Sequence, residues 1–196
     1  MNGFEKRAAL IKEKILKTTL KMLQTYEPSQ LRIADIAKIA KVSQVTIYNY
    51  FGSKDALIHE SVKRYIDVLI QDFQVYMQQE GPIKEKIERM LLQNQESYGV
   101  LSPSMIKRLI AKDEEIASYI QEETKERIIP LLVQMIDAGK KNGEISKKIT
   151  AEGFLVFINF MMLHYEELLN IVTQQDNTDL IDSLHHIFFY GICGKE

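Results

Sequence analysis

Residues 43 to 50 read Ser43-Gln44-Val45-Thr46-Ile47-Tyr48-Asn49-Tyr50: two aliphatic hydroxyls, two amides and two phenols in eight positions, with no charge among them. Hydroxyls and amides at this density make hydrogen bonds. They suit phosphate oxygens and the edges of bases, and Val45 suits the methyl of a thymine. Cations stand on the flanks at Arg32, Lys41 and Lys54. Lys54 opens a helical pattern, where unpaired backbone N–H groups favour an anion. A lysine at a helix start is often only a solvated surface residue; beside so many neutral donors the phosphate reading leads.

The groups that could break bonds are not spaced to do so. The four histidines are His59, His164, His185 and His186. None sits in a Glu-x-x-His pattern, and His59-Glu60 lacks the second histidine of a zinc-protease helix. His185 and His186 are adjacent, so on a helix they point about 100° apart and do not easily share one ion. The chain has no glycine loop to cradle phosphate and no nucleophile elbow. Glu166-Glu167 reads as a solvated acidic patch. The expectation is a protein that is not an enzyme, with no metal and no cofactor.

The elements that position these residues are helices. Apolar residues recur at Ala8, Ile11, Ile15, Met22 and Leu23, predicting a helix from Phe4 to Tyr26 that Glu27-Pro28-Ser29-Gln30 breaks. Ile33, Ile36, Ala37 and Ala40 follow the i, i+3, i+4, i+7 rule of a short amphipathic helix. A second short helix runs through Tyr50. Ser53 is placed as the N-cap of a long helix to about Gln79, with Asp55 suiting its positive end. Further helices are expected near 83–98, 104–112, 114–140, 150–173 and 178–191. Pro130 should kink or divide the third of these. No segment alternates long enough for a strand. The predicted class is all-α, with about nine helices.

The charge is divided along the chain. Residues 1–64 hold 12 Lys and Arg against 6 Asp and Glu, and residues 65–196 hold 13 against 21, beneath a net charge of −2. A basic amino-terminal third on an acidic body predicts an anionic partner for the first part only. The lone cysteine, Cys193, makes no internal disulfide. The apolar run 154–163 is shorter than the ~18 residues of a membrane span. The start shows no cleavable apolar leader. The expected location is the cytoplasm, with no membrane partner.

Two short helices joined by a tight turn form a helix-turn-helix. Ile36, Ala37 and Ala40 would face Val42, Ile47 and Tyr50, leaving Ser43, Gln44, Val45, Thr46, Tyr48 and Asn49 on the outside or its edges. An ordinary helical hairpin with a polar exterior fits the same spacing. The segment IADIAKIAKVSQVTIYNYFGSKDALI, however, resembles the DNA-binding signature of the TetR family of transcriptional regulators, a likeness that covers residues 8–60. The resemblance implies groove contacts from Gln44, Val45, Tyr48 and Asn49, and phosphate contacts from Ser43, Thr46, Tyr50 and Lys54. It implies a two-fold symmetric dimer on a roughly palindromic operator in double-stranded DNA, released by a small molecule. Three positions depart from the family pattern. Lys41 stands where glycine is usual and adds a charge near the phosphates. Val45 stands where a small residue is common. Arg32 replaces a capping threonine, trading a cap for a phosphate contact.

These features divide the chain into a helix-turn-helix DNA-binding domain at 1–53 and a helical effector-binding and dimerisation domain at 54–196, connected by the helix 54–79. Tyr65, Tyr98, Met105, Phe157 and His164 are candidates for an effector pocket, because they are aromatic, soft or titratable; such residues are more often plain core. They lean toward an apolar or amphipathic ligand. The helices at 150–173 and 180–192 are apolar on nearly every face, which predicts a four-helix homodimer interface including Phe160, Leu168, Leu184 and Phe188. The competing readings are a helical small-molecule-binding or adaptor protein whose amino-terminal module contacts protein, and an activator or ligand-independent regulator.

Overall fold

The computed structural model describes residues 3–92, 101, 103–174, 180, 183, 186, 187 and 190. The described residues form helices α1 (Gly3–Leu23), α2 (Ile33–Ala40), α3 (Gln44–Phe51), α4 (Lys54–Gln78), α5 (Ile83–Leu92), α6 (Pro103–Lys112), α7 (Glu114–Glu123), α8 (Ile129–Asn142) and α9 (Ala151–Gln174), with no strand among them. The all-α expectation holds. The expected helix at 178–191 lies almost wholly outside the described residues, as does the end of the one at 83–98.

The chain forms two compact units, Met1–Phe73 with Asn94–Glu123, and Gln74–Gln93 with Thr124–Glu196. The functional boundary drawn at residue 53 falls inside the first unit.

In the first unit, α2 packs on α1 and α3. Its buried residues are Ile33, Ile36, Ala37 and Ala40, the four named by spacing. Ile15, Leu23, Ile36, Ile47, Leu57 and Val62 are almost wholly enclosed. Two buried hydroxyls are satisfied within their own helices: Thr19 donates to the Ile15 carbonyl at 3.0 Å and Ser61 to the Leu57 carbonyl at 2.7 Å. α1 stops at Leu23, three residues before the expected end. Pro28 disfavours helical backbone in the residue before it, and Glu27 is accordingly extended at φ −65°, ψ 152°. A 3-10 turn, Pro28–Gln30, follows.

The helix expected at 114–140 is divided, as Pro130 demanded, with α7 in the first unit and α8 in the second. A π-helical stretch, Thr124–Ile128, precedes α8, and Pro130 occupies its first turn. Proline has no N–H to return to the carbonyl four residues back, and its ring crowds that carbonyl, so the ladder must change there. α8 ends at Gly143, in left-handed backbone at φ 74°, with the N–H groups of Glu144 and Ile145 donating to the Gly139 carbonyl at 2.8 and 3.0 Å. A Cβ on Gly139 would lie 2.7 Å from Ile145 Cδ1 and Cγ1 and 2.9 Å from Ile83 Cδ1. Only a residue without a side chain lets these two isoleucines close over α8.

Candidate nucleic-acid interface

The turn between α2 and α3 is built by backbone bonds and one hydroxyl. Lys41 takes left-handed backbone, φ 53° and ψ 49°. It is the one non-glycine residue with positive φ among those described. The Val42 N–H then reaches the Ala37 carbonyl at 3.0 Å, a six-to-one bond that closes the end of α2. Ser43 caps α3: its Oγ accepts the Thr46 N–H at 2.9 Å and pairs with Thr46 Oγ1 at 2.8 Å. Arg32 precedes α2 in extended backbone and makes no side-chain cap bond, as the missing threonine implied.

The inner side of α3 is Ile47 and Phe51, both buried. Val42 and Tyr50 are half-buried, and the Tyr50 ring lies 6.2 Å from that of Phe51. The outer side shows Gln44, Val45, Tyr48 and Asn49, with Val45 66% and Tyr48 49% exposed. Lys41 and Arg32 are also exposed. Gly52, at φ 76°, ends α3 with its N–H on the Tyr48 carbonyl. Ser53 then caps α4, accepting the Ala56 N–H at 3.0 Å.

Lys54 differs in its surroundings from a solvated lysine. It is half-buried, and its ammonium donates to the carbonyls of Pro28 at 3.2 Å and Leu31 at 3.3 Å. An ammonium carries three N–H groups, so these two bonds anchor α4 to the segment before α2 and leave capacity for a phosphate.

Of the effector candidates, Tyr65 and Met105 belong to the first unit, and Phe157 and His164 to the second. Tyr98 lies outside the described residues. The buried Tyr65 hydroxyl bonds both backbone groups of Leu101 at 3.3 Å. Burial, partly offset by the Leu101 N–H, pushes the Tyr65 phenol above its ordinary value. Met105 lines a cleft of about 190 Å³ with Glu27, Pro28, His59, Arg108 and Lys112; Tyr65 does not. On α9, His164 is exposed, 3.0 Å from Glu167 and with its ring 4.7 Å from that of Phe160. Phe160 is 58% exposed, beside Val156 at 71% and Phe157 at 39%. Among the other dimer candidates, the side chain of Leu168, and Leu184 and Phe188 altogether, lie outside the described residues.

A charged cluster that no sequence spacing signals links α4 to the junction of α6 and α7. His59 meets Asp113 and Glu115 there, Lys63 meets Glu115 at 2.7 Å, and Glu27 holds Arg108 at 3.1 Å and Lys112 at 3.2 Å. The partners stand 52 to 85 residues apart in the chain, so no local spacing announces them. Among the described residues, no group of three or more His, Cys, Asp or Glu is placed to hold a metal ion, and no helix is long and apolar enough to cross a membrane.

Comparison with known proteins places this geometry. Residues 15–61 match the family described as bacterial regulatory proteins, tetR family. The chain is 32% identical over 68 residues to the HTH-type transcriptional regulator AlkX of Mycobacterium tuberculosis (strain ATCC 25618 / H37Rv), a match covering 35% of this chain and only 32% of that regulator. The fold resembles that of E. coli NemR in its reduced form, with a TM-score of 0.70 and 18% identity over 90% of this chain and 95% of that one. It also resembles the transcriptional regulator FadR from Bacillus subtilis, solved in complex with stearoyl-CoA. There the TM-score is 0.60 and the identity 16%, over 94% of this chain and 99% of that one. Residues 15–61 thus form a domain of the tetR-family kind, and the helix-turn-helix, α2 and α3, lies wholly within them.

Proposed function

We propose that this chain, with a tetR-family domain at its amino terminus and the fold of solved transcriptional regulators over most of its length, is a DNA-binding repressor of transcription. It acts in the cytoplasm, as a homodimer on a palindromic operator, and is released by a small-molecule ligand. The observation that carries this reading is the division of α3: Ile47 and Phe51 packed inward, and Gln44, Val45, Tyr48 and Asn49 presented outward without a charge. Such a surface gains its energy by reading groove edges, with Arg32, Lys41 and Lys54 supplying phosphate attraction from the flanks.

The exposed Val156, Phe157 and Phe160 on α9 support the dimer, since an apolar patch of this kind asks for a second apolar surface. Support for a ligand comes from FadR of Bacillus subtilis, solved with stearoyl-CoA. The apolar or amphipathic character expected of the effector here agrees with that class. The test is titration of the protein against fragments of its own upstream DNA at two salt concentrations, followed by footprinting. Specific binding with a steep salt dependence and a two-fold symmetric footprint is expected. Binding to none of the fragments, with affinity for a protein partner instead, would favour an adaptor.

A further inference from the structure

His59 lies on α4, away from the outer surface of α3. Its Nε2 is 2.5 Å from Asp113 Oδ2, and its Nδ1 is 2.8 Å from Glu115 Oε2. A neutral imidazole has one N–H and one lone pair, whereas the cation has two N–H groups. Two carboxylates on opposite sides of one ring are therefore both satisfied only when both nitrogens carry protons.

Each carboxylate has a second partner of its own. Asp113 Oδ1 accepts the Ile116 N–H at 3.1 Å and so caps α7. Glu115 Oε1 accepts from Lys63, one turn along α4 from His59. Burial pushes the Asp113 carboxyl up, but the Ile116 N–H, the His59 ring and the Glu115 N–H outweigh it and hold the group below the usual carboxylate range. Lys63, then His59, holds Glu115 low as well. Both acids therefore stay ionised across the range in which a histidine changes charge. The other charged groups nearby are Asp55, one turn before His59, and Glu27, Arg108 and Lys112 across the shared cleft; the last three are paired with one another.

We propose that His59 is a protonation-dependent latch: as an imidazolium it ties α4 to the α6–α7 corner through both Asp113 and Glu115, and as a neutral ring it must release one of them. Loss of the proton turns a donor into a lone pair facing a carboxylate, so the change is from attraction to repulsion. Asp113 then caps α7 through Ile116 without its tie to α4, or Glu115 is left to Lys63, so the first turn of α7 is held less firmly. The latch is closed while the ring is an imidazolium and open when the ring is neutral. It stands on these contacts and not on the DNA reading.

The test is imidazole nitrogen NMR of the full chain across about pH 5 to 8, with amide exchange at Ile116 and Ala117. Both ring nitrogens of His59 should carry protons at the acid end. Protection of the two amides, corrected for intrinsic exchange, should fall by about tenfold as the ring titrates. His59→Gln should abolish that pH dependence. Glu115→Gln, at an exposed position, puts an amide that can meet either form of the ring in place of one carboxylate; it should weaken the pH dependence of protection and serves if the first variant folds poorly. An unprotonated nitrogen at the acid end, an identical pH dependence in His59→Gln, or an undiminished one in Glu115→Gln would each overturn the latch.

Discussion

Lys54 donates its ammonium to the carbonyl of Leu31 at 3.3 Å, so the first residue of α4 holds the strand of chain that leads into α2. Position and charge are combined in one side chain, and a substitution can separate them. Lys54→Ala is expected to lower the melting temperature by a few degrees, from loss of charged hydrogen bonds worth about 1.5 kcal/mol or more. It should also weaken binding to every DNA sequence and reduce the salt slope by about one. A lower melting temperature with an unchanged slope would make Lys54 an anchor only and end its phosphate role.

Gln44 is exposed at the first position of α3 and packs nothing. Gln44→Ala should leave stability within about 0.5 kcal/mol. It should cost about 1–3 kcal/mol of discrimination at one operator position, read by competition among operator variants. Equal losses on every variant would argue against base reading.

Lys41 bears left-handed backbone that an L side chain resists by about 1–2 kcal/mol. Lys41→Gly should raise thermal stability by about 1 kcal/mol, part of the strain relief being lost to the greater freedom of glycine when unfolded. The same change removes an exposed cation, so DNA affinity should fall while the melting temperature rises. Calorimetry and a binding titration on one preparation would show whether the two move in opposite directions.

Gly139 sits beneath Ile83 and Ile145 with no room for a methyl group. Gly139→Ala should destabilise the protein by about 1–3 kcal/mol, read from urea midpoints. Ile145→Val in the same chain should return part of that loss. A neutral Gly139→Ala would mean that the two isoleucines move aside freely.

Asp113 is ionised more readily in the folded protein than in an unfolded chain, where its value is about 3.9. The unfolded state thus takes up its proton first as pH falls. The stability from Asp113 is present above about pH 4 and disappears as pH drops through the lower folded value. Asp113→Asn should flatten the acid limb of a stability–pH curve. An unaltered limb would show that other carboxylates set it.

The sequence disclosed what depends on near neighbours. The buried stripe Ile33, Ile36, Ala37 and Ala40, the Ser53 cap and the division near Pro130 all follow from contacts within a few residues, so spacing reveals them. The expected end of α1 falls three residues late, because the apolar pattern outlasts the helix and Pro28 already holds Glu27 in extended backbone. The Lys54 carbonyl contacts and the His59 contacts join positions 23 to 56 residues apart. Only the fold brings those together. The effector candidates were chosen by residue type alone, which does not distinguish a Tyr65 bonded to Leu101 from one facing a ligand.

The two sides of α3 carry different constraints on change. Ile47 and Phe51 are fixed by the space they fill, and Gly52 and Ser53 by the turn they make. Gln44, Val45, Tyr48 and Asn49 touch no such limit. Mutations can accumulate at these four positions with little loss of stability. If these side chains read the groove as proposed, a lineage carrying this scaffold can change its target site in single steps, each intermediate still folded.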